Sequence, residues 1–195
     1  MSSTSQPRPA PSRGGLFLDR DGTLIEDGHY LARPADVRLL PGVAGALQRA
    51  RNLGYRLYLF TNQSGVGRGY FTRQAVDACN ARLLQLAGLT PGAFERVCIA
   101  PEAPGSPSRY RKPSPAFIEE TLEADGLDPG HTWMVGDKLA DLQAGIGGGI
   151  RAAFVETGKP RTSEVDAFLC EHHPRAAAYP GLAALVDTLP EAPRA

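Results

Sequence analysis

The chain predicts an α/β sandwich, a mostly parallel sheet covered by helices on both faces. Three observations lead there. Short apolar runs at 15–18, 55–60, 94–100, 131–135 and 150–155 alternate with stretches of helical periodicity. Those runs are apolar on successive residues, as strands buried on both faces require. The chain also shows no internal repeat and no clear second domain, so residues 14–190 read as one unit.

The elements follow in order. Residues 1–13 are rich in Ser and Pro, lack the apolar core of a signal peptide, and read as a disordered tail. Residues 15–18 form a strand that ends at Asp19, and 24–36 are irregular and turn-rich. A short apolar stretch, 37–40, precedes Pro41-Gly42. A helix over 43–53 places Val43, Leu47, Ala50 and Leu53 on one face and stops at Gly54. Strand 55–60 leads into a polar, glycine-rich loop at 61–69. Thr72 caps a helix running to about Ala87, and a strand covers 94–100. Residues 101–113 hold four prolines and form a loop. Ser114-Pro115 opens a helix with Pro at its first position, ending near Gly126. Strand 131–135 delivers Gly136-Asp137, a short helix runs to Ile146, and strand 150–155 follows. Beyond it, one further helix is expected over 182–188.

Composition narrows the classes of function. With 21 basic and 21 acidic residues the formal net charge is zero, which disfavours nucleic acid or an anionic membrane as partner. No run of about 18 apolar residues offers a membrane span. Cys79, Cys98 and Cys170 form no CxxC and no even set, and read as buried free thiols of a reducing compartment. A cytoplasmic, monomeric enzyme acting on a small metabolite fits these features.

The chemistry concentrates where strands end. Asp19 and Asp21 stand two residues apart after an apolar run, so in extended backbone their carboxylates share one side and one small volume. Their repulsion needs a cation or a shared proton to relieve it. In open parallel sheets ligands bind beyond the carboxyl ends of the strands. Three strands end in polar clusters: Asp19/Asp21, Thr61-Asn62-Gln63 and Gly136-Asp137, with Lys112 in the loop before another helix. Carboxylates, a hydroxyl, amides and a lysine suit phosphoryl transfer, which depends on positioning and charge stabilisation.

Asp19-Arg20-Asp21-Gly22-Thr23, Thr61, Lys112 and Gly136-Asp137-Lys138-Leu139-Ala140-Asp141 follow in the order of DxDGT, Thr/Ser, Lys and GDxxxD. In this the chain resembles the haloacid dehalogenase superfamily, from Leu16 to Val155. FLDRDGTL, TNQSGVGRGYFT, RKP, MVGDKLADLQAG and TGKP look like its branch of histidinol phosphatases and heptose-bisphosphate phosphatases. The resemblance implies a Rossmann-like sheet with a minimal cap or none, and removal of the 7-phosphate from D-glycero-D-manno-heptose 1,7-bisphosphate. Histidinol phosphate and other small sugar phosphates are its alternatives. A nucleic-acid 3′-phosphatase shares the motifs, but the chain has no Lys/Arg-rich run.

The resemblance also implies roles. Asp19 is the nucleophile, Asp21 the acid/base, and Thr61 and Lys112 complete the catalytic set. Mg2+ would bind the Asp19 carboxylate, the Asp21 backbone carbonyl and Asp137, while Asp141 supports Lys112 or the metal's waters. Asn62, Gln63, Arg68, Arg111 and Lys138 are substrate-binding candidates. His29 and Tyr30 lie where small cap elements often sit. One departure stands out. Relatives in this branch often carry a zinc loop, CxH then CxC, before RKP; here those places hold Ala100, Glu102, Ser108 and Tyr110, and no structural zinc is expected. Pro101, Pro104 and Pro107 are expected to stiffen the loop instead.

Overall fold

The computed structural model describes residues 13–193. Of the tail expected over residues 1–13, residues 1–12 lie outside the described residues, and Arg13 instead begins the first strand. Six strands form one sheet: β1 (Arg13–Leu18), β2 (Arg56–Asn62), β3 (Phe94–Ala100), β4 (Leu127–Gly136), β5 (Arg151–Val155) and β6 (Ala176–Tyr179). Their spatial order is β3-β2-β1-β4-β5-β6, and every pairing is parallel. The chain therefore leaves β1 towards one edge and later returns beside it with β4. The switch point between β1 and β4 is where such sheets open a crevice for ligands.

Period-2 alternation fixes which side each strand residue serves. Leu16 and Leu18 of β1, Leu57 and Leu59 of β2 and Val135 of β4 pack on one face. Covering that face are α1 (Val43–Asn52), α3 (Arg73–Leu86) and α7 (Leu182–Val186), through Leu47, Leu83 and Leu185 among others. Phe17, Tyr58, Phe60 and Met134 point the other way, onto α4 (Ala116–Asp125) and α5 (Leu139–Gly147). The outer part of that second face, Ala152 and Phe154, is covered by α6 (Ser163–Glu171). Between β1 and α1 stand only a 3-10 turn (Pro34–Asp36) and isolated bridges. A single turn of helix, α2 (Ser64–Gly67), follows β2.

Several expectations need correction. Thr61 and Asn62 belong to β2, because they pair with Ile99 and Ala100, and the loop starts only at Gln63. Within the expected loop 61–69 lies α2. Pro115 stands at the N-cap of α4 rather than in its first turn, although Gly126 ends the helix in the left-handed conformation as expected. Two elements after β5 were not anticipated. α6 is capped by Thr162, whose hydroxyl accepts from Val165 N, and buries only Val165 and Leu169. β6 is Ala-Ala-Ala-Tyr, a composition with weak strand preference, and gains its conformation from pairing with β5. Cys79 and Cys98 are buried free thiols, whereas Cys170 is exposed on α6. No described helix is long and apolar enough to cross a membrane.

Candidate active site

The site lies at the carboxyl ends of β1, β2 and β4. β1 stops at Leu18, but Asp19 N still donates to Val135 O at 2.9 Å, so Asp19 leaves the sheet in a fixed direction. A tight turn follows: the amides of Thr23, Leu24 and Ile25 all donate to Arg20 O. Gly22 in that turn has φ 84°, and a Cβ there would come within 2.5 Å of Asp137 Oδ2. Gly158, after β5, would bring a Cβ within 2.2 Å of the same oxygen. Both glycines thus let backbone pack against the Asp137 carboxylate, which would otherwise have no room.

Lys112 is the central cation. It is 4% exposed, although it comes from a loop. Its ammonium donates to Asp19 Oδ1 at 2.8 Å and Phe60 O at 2.7 Å, and pairs with Asp141 Oδ1 at 2.6 Å. The loop is pinned by a reciprocal pair: Asn62 Nδ2 donates to Lys112 O at 3.1 Å, and Lys112 N donates to Asn62 Oδ1 at 3.0 Å. The Asn62 side chain is therefore engaged in positioning Lys112. Asp141 is engaged as well, because its Oδ2 accepts from Lys138 N at 3.0 Å and caps α5.

A second cation, Lys138, reaches the other side of the acids. Its Nζ lies 2.9 Å from Asp137 Oδ1, 3.4 Å from Asp21 O and 3.7 Å from Asp19 Oδ2. Those three oxygens coincide with the expected Mg2+ ligands. Carboxylate oxygens of Asp19, Asp137 and Asp141 lie within 4.8 Å of one another. Because oxygens of Asp19, Asp137 and the Asp21 carbonyl already converge on one cation, the Lys138 ammonium, whereas Asp141 serves Lys112 and the Lys138 amide, those three are the better ligand set. All are oxygens, as a hard cation requires, and the glycine cradle around Asp137 keeps that carboxylate in place. The residues fit Mg2+.

The electrostatics follow from burial competing with these pairs. Burial pushes the Asp19 carboxyl up, but the Lys112 and Lys138 ammonium groups outweigh it and hold the group below the ordinary carboxylate value. Burial dominates at Asp137, which is raised with help from the Asp19 charge and against the pull of Lys138. Asp141 is pushed up to about 6, again by burial, which the Lys112 charge only partly offsets. Both lysines are raised as well, for a different reason. Burial lowers each, yet the facing carboxylates more than compensate and raise them.

Above these groups opens a cleft of about 310 Å³. Asp19, Asp21, Asn62, Gln63, Lys112, Lys138 and Asp141 line it, as does Arg111. Thr61 does not line it; that hydroxyl is buried and accepts from Gln63 Nε2 at 2.8 Å. Arg68, at the end of α2, does not line it either, although its charge acts on Arg111. Arg111 donates to Glu102 O at 2.9 Å, and burial lowers its pKa. His29 and Tyr30 line the mouth in consecutive left-handed conformations, φ 46° and 64°, which side-chain-bearing residues seldom adopt.

Sequence reasoning missed Asp27 and Lys159, which also line the cleft. Lys159 N donates to Asp137 Oδ2 at 2.9 Å, and its ammonium meets Asp27 Oδ2 at 3.0 Å. TGKP marked the position, but nothing in it foretold this partner on a distant loop. At the places of the zinc loop, Ser108 Oγ accepts from Arg111 N and Tyr110 OH donates to Glu120. Arg109 pairs with the same Glu120. Side-chain contacts to α4 thus tie this loop down.

Comparison with known proteins agrees with this geometry. A HAD-hydrolase-like family model matches residues 109–185. The D-glycero-D-manno-heptose-1,7-bisphosphate 7-phosphatase of Chlorobaculum tepidum is 34% identical over 171 residues, covering 81% of this chain and 83% of its own. The chain belongs to the haloacid dehalogenase-like hydrolases. It is a phosphatase. A second relative, the D-glycero-beta-D-manno-heptose-1,7-bisphosphate 7-phosphatase of Mesorhizobium japonicum, is 36% identical over 158 residues, 76% of this chain and 72% of that one. Among solved structures, the D,D-heptose 1,7-bisphosphate phosphatase of B. bronchiseptica, complexed with magnesium and phosphate, superposes with a TM-score of 0.75. It is 25% identical and the match covers 90% of this phosphatase and 96% of that chain.

Proposed function

We propose that this phosphatase removes the 7-phosphate of D-glycero-D-manno-heptose 1,7-bisphosphate through an aspartyl phosphate on Asp19. The observation that carries the reading is the charge arrangement. The Asp19 carboxylate, held below the ordinary value, is flanked by the Lys112 and Lys138 ammonium groups in a cleft that Arg111 also lines. A substrate with two phosphates matches a nucleophile and a further cation that line one cleft. The relatives named for this substrate support the choice.

In the first step an Asp19 oxygen attacks phosphorus, and the bond from phosphorus to the sugar oxygen breaks. Asp21 gives its proton to the departing alkoxide. In the second, water attacks phosphorus, Asp21 takes a proton from it, and the Asp19 carboxylate is restored as inorganic phosphate leaves. Lys112 balances the charge of Asp19 and of the incoming phosphoryl group, with Asp141 holding it from behind. The Asn62 backbone holds phosphate oxygens, and the buried Thr61 hydroxyl supports the site by accepting from Gln63, which lines the cleft. Asp19, Asp137 and the Asp21 carbonyl would hold Mg2+, which supplies charge neutralisation for the phosphate and the crowded acids when bound.

Lys138 and Arg111 contact the remaining phosphate or sugar hydroxyls, and Arg68 acts on Arg111 through its charge. Every group named comes from one chain, in keeping with a monomer. Unpaired thiols favour the cytoplasm. The loop 101–113 has its own side-chain ties, and its sulfur-free positions speak for an enzyme without structural zinc.

The reading is tested by following hydrolysis with phosphorus NMR. The resonance of the 7-phosphate should vanish while that of the 1-phosphate persists. EDTA should stop the reaction and added Mg2+ restore it. Loss of the 1-phosphate first would contradict the proposed orientation.

A further inference from the structure

Arg20 is the largest fully buried side chain among the described residues, and no step above uses it. A guanidinium keeps its charge in proteins. Enclosing one is costly unless oriented acceptors meet it, and a well-packed apolar side chain often serves stability as well. The partners of Arg20 therefore carry the meaning. Its Nε and Nη2 fork onto the Asp21 carboxylate, each at 3.1 Å. Its Nη1 donates to Asn80 Oδ1 at 3.1 Å. Asn80 sits on α3 and is 7% exposed, and its amide nitrogen has no hydrogen-bond partner among the described residues. Asn80 thus acts through its oxygen alone, as an acceptor for Arg20.

Asp21 is held from the other side too. Gln63 Nε2 donates to its Oδ2 at 2.8 Å. Oδ2 then serves Arg20 and Gln63 together, whereas Oδ1 accepts from Arg20 only and keeps lone-pair capacity. We propose that Asn80 and Arg20 are positioning residues for Asp21: Asn80 fixes the guanidinium, the guanidinium fixes the carboxylate, and Oδ1 is the oxygen that exchanges the proton. This rests on reading Asp21 as the acid/base. A proton donor must stand within hydrogen-bond reach of the leaving oxygen, and small misplacements are costly in rate.

Leaving groups separate positioning from general structural support. Nitrophenolate departs without a proton, whereas an alkoxide needs one. The measurement is kcat/KM for nitrophenyl phosphate and for a simple alkyl phosphate, with Mg2+ present. Asn80→Ala should lower the alkyl phosphate value about ten- to a hundredfold and the aryl value less than about threefold. Asn80→Asp offers an acceptor in the same place and should bring the alkyl value back to within about threefold of the parent. Arg20→Met tests the link more harshly, at a risk to folding that Asn80→Ala does not share. Asp21→Asn belongs in the same assay. If its loss is selective for the alkyl phosphate while that of Asn80→Ala is equal for both substrates or absent, the positioning proposal is overturned. If Asp21→Asn itself loses both equally, the acid/base reading is what fails.

Discussion

Asp19→Asn is expected to lower turnover by a factor on the order of 10⁴ or more while leaving the fold intact. The amide keeps the shape of the side chain and can still accept from Lys112, so the loop around Lys112 has no reason to move. What it lacks is the charge that makes the oxygen a nucleophile. The two lysines keep other partners in the variant, Asp141 for Lys112 and Asp137 for Lys138, so no ammonium is stranded. Circular dichroism should match the parent, and the melting temperature should shift by only a few degrees, as for a change of about 1 kcal/mol in a chain this size. Retained turnover would remove Asp19 from its role.

Lys112→Met should damage stability and activity together. The ammonium that Asp19 and Asp141 share is removed, and both carboxylates stay buried. Breaking one partner out of a buried ionic cluster costs about 3–5 kcal/mol. The pH dependence has a definite sign. Asp141 already sits at about 6 because of burial, above its unfolded value of 3.8. Loss of Lys112 pushes it higher still. A carboxyl whose folded value lies above its unfolded value binds more protons in the folded state, so stability falls as pH rises between the two. Denaturant titrations of Lys112→Met should therefore recover stability as pH is lowered from 7 towards 5. A variant that loses stability over that interval would show that the buried carboxylates are not what Lys112 compensates. Activity should fall about a hundredfold or more, the usual effect of removing one preorganised group that stabilises charge.

The parts of the site written in short local patterns were legible in the sequence. Asp19 and Asp21 follow an apolar run and Asp137 follows another, and both runs are strands buried on both faces, β1 and β4, which the fold places side by side. The parts that depend on distant partners were not. A lysine in a proline-rich loop carries no local sign of being 4% exposed; its burial comes from Asn62, fifty residues away, gripping its backbone. Arg20 read as the unspecified residue of its motif, because only the approach of α3 gives it Asn80. Lys159 met Asp27 through a fold that pairs the loop after β5 with the loop after β1. The same holds for elements: β6 is a strand because β5 offers it an edge, and three alanines in a row do not announce one. Local propensity and spacing reach as far as a motif, and tertiary contact decides the rest.

The central claim is tested most directly by phosphate release from heptose 1,7-bisphosphate and histidinol phosphate, side by side, with and without Mg2+. The account predicts Mg2+-dependent release with kcat/KM favouring the heptose bisphosphate by about a hundredfold or more, roughly 2.7 kcal/mol of transition-state discrimination. Equal or reversed preference would contradict the substrate, and release that persists undiminished in EDTA would contradict the chemistry itself.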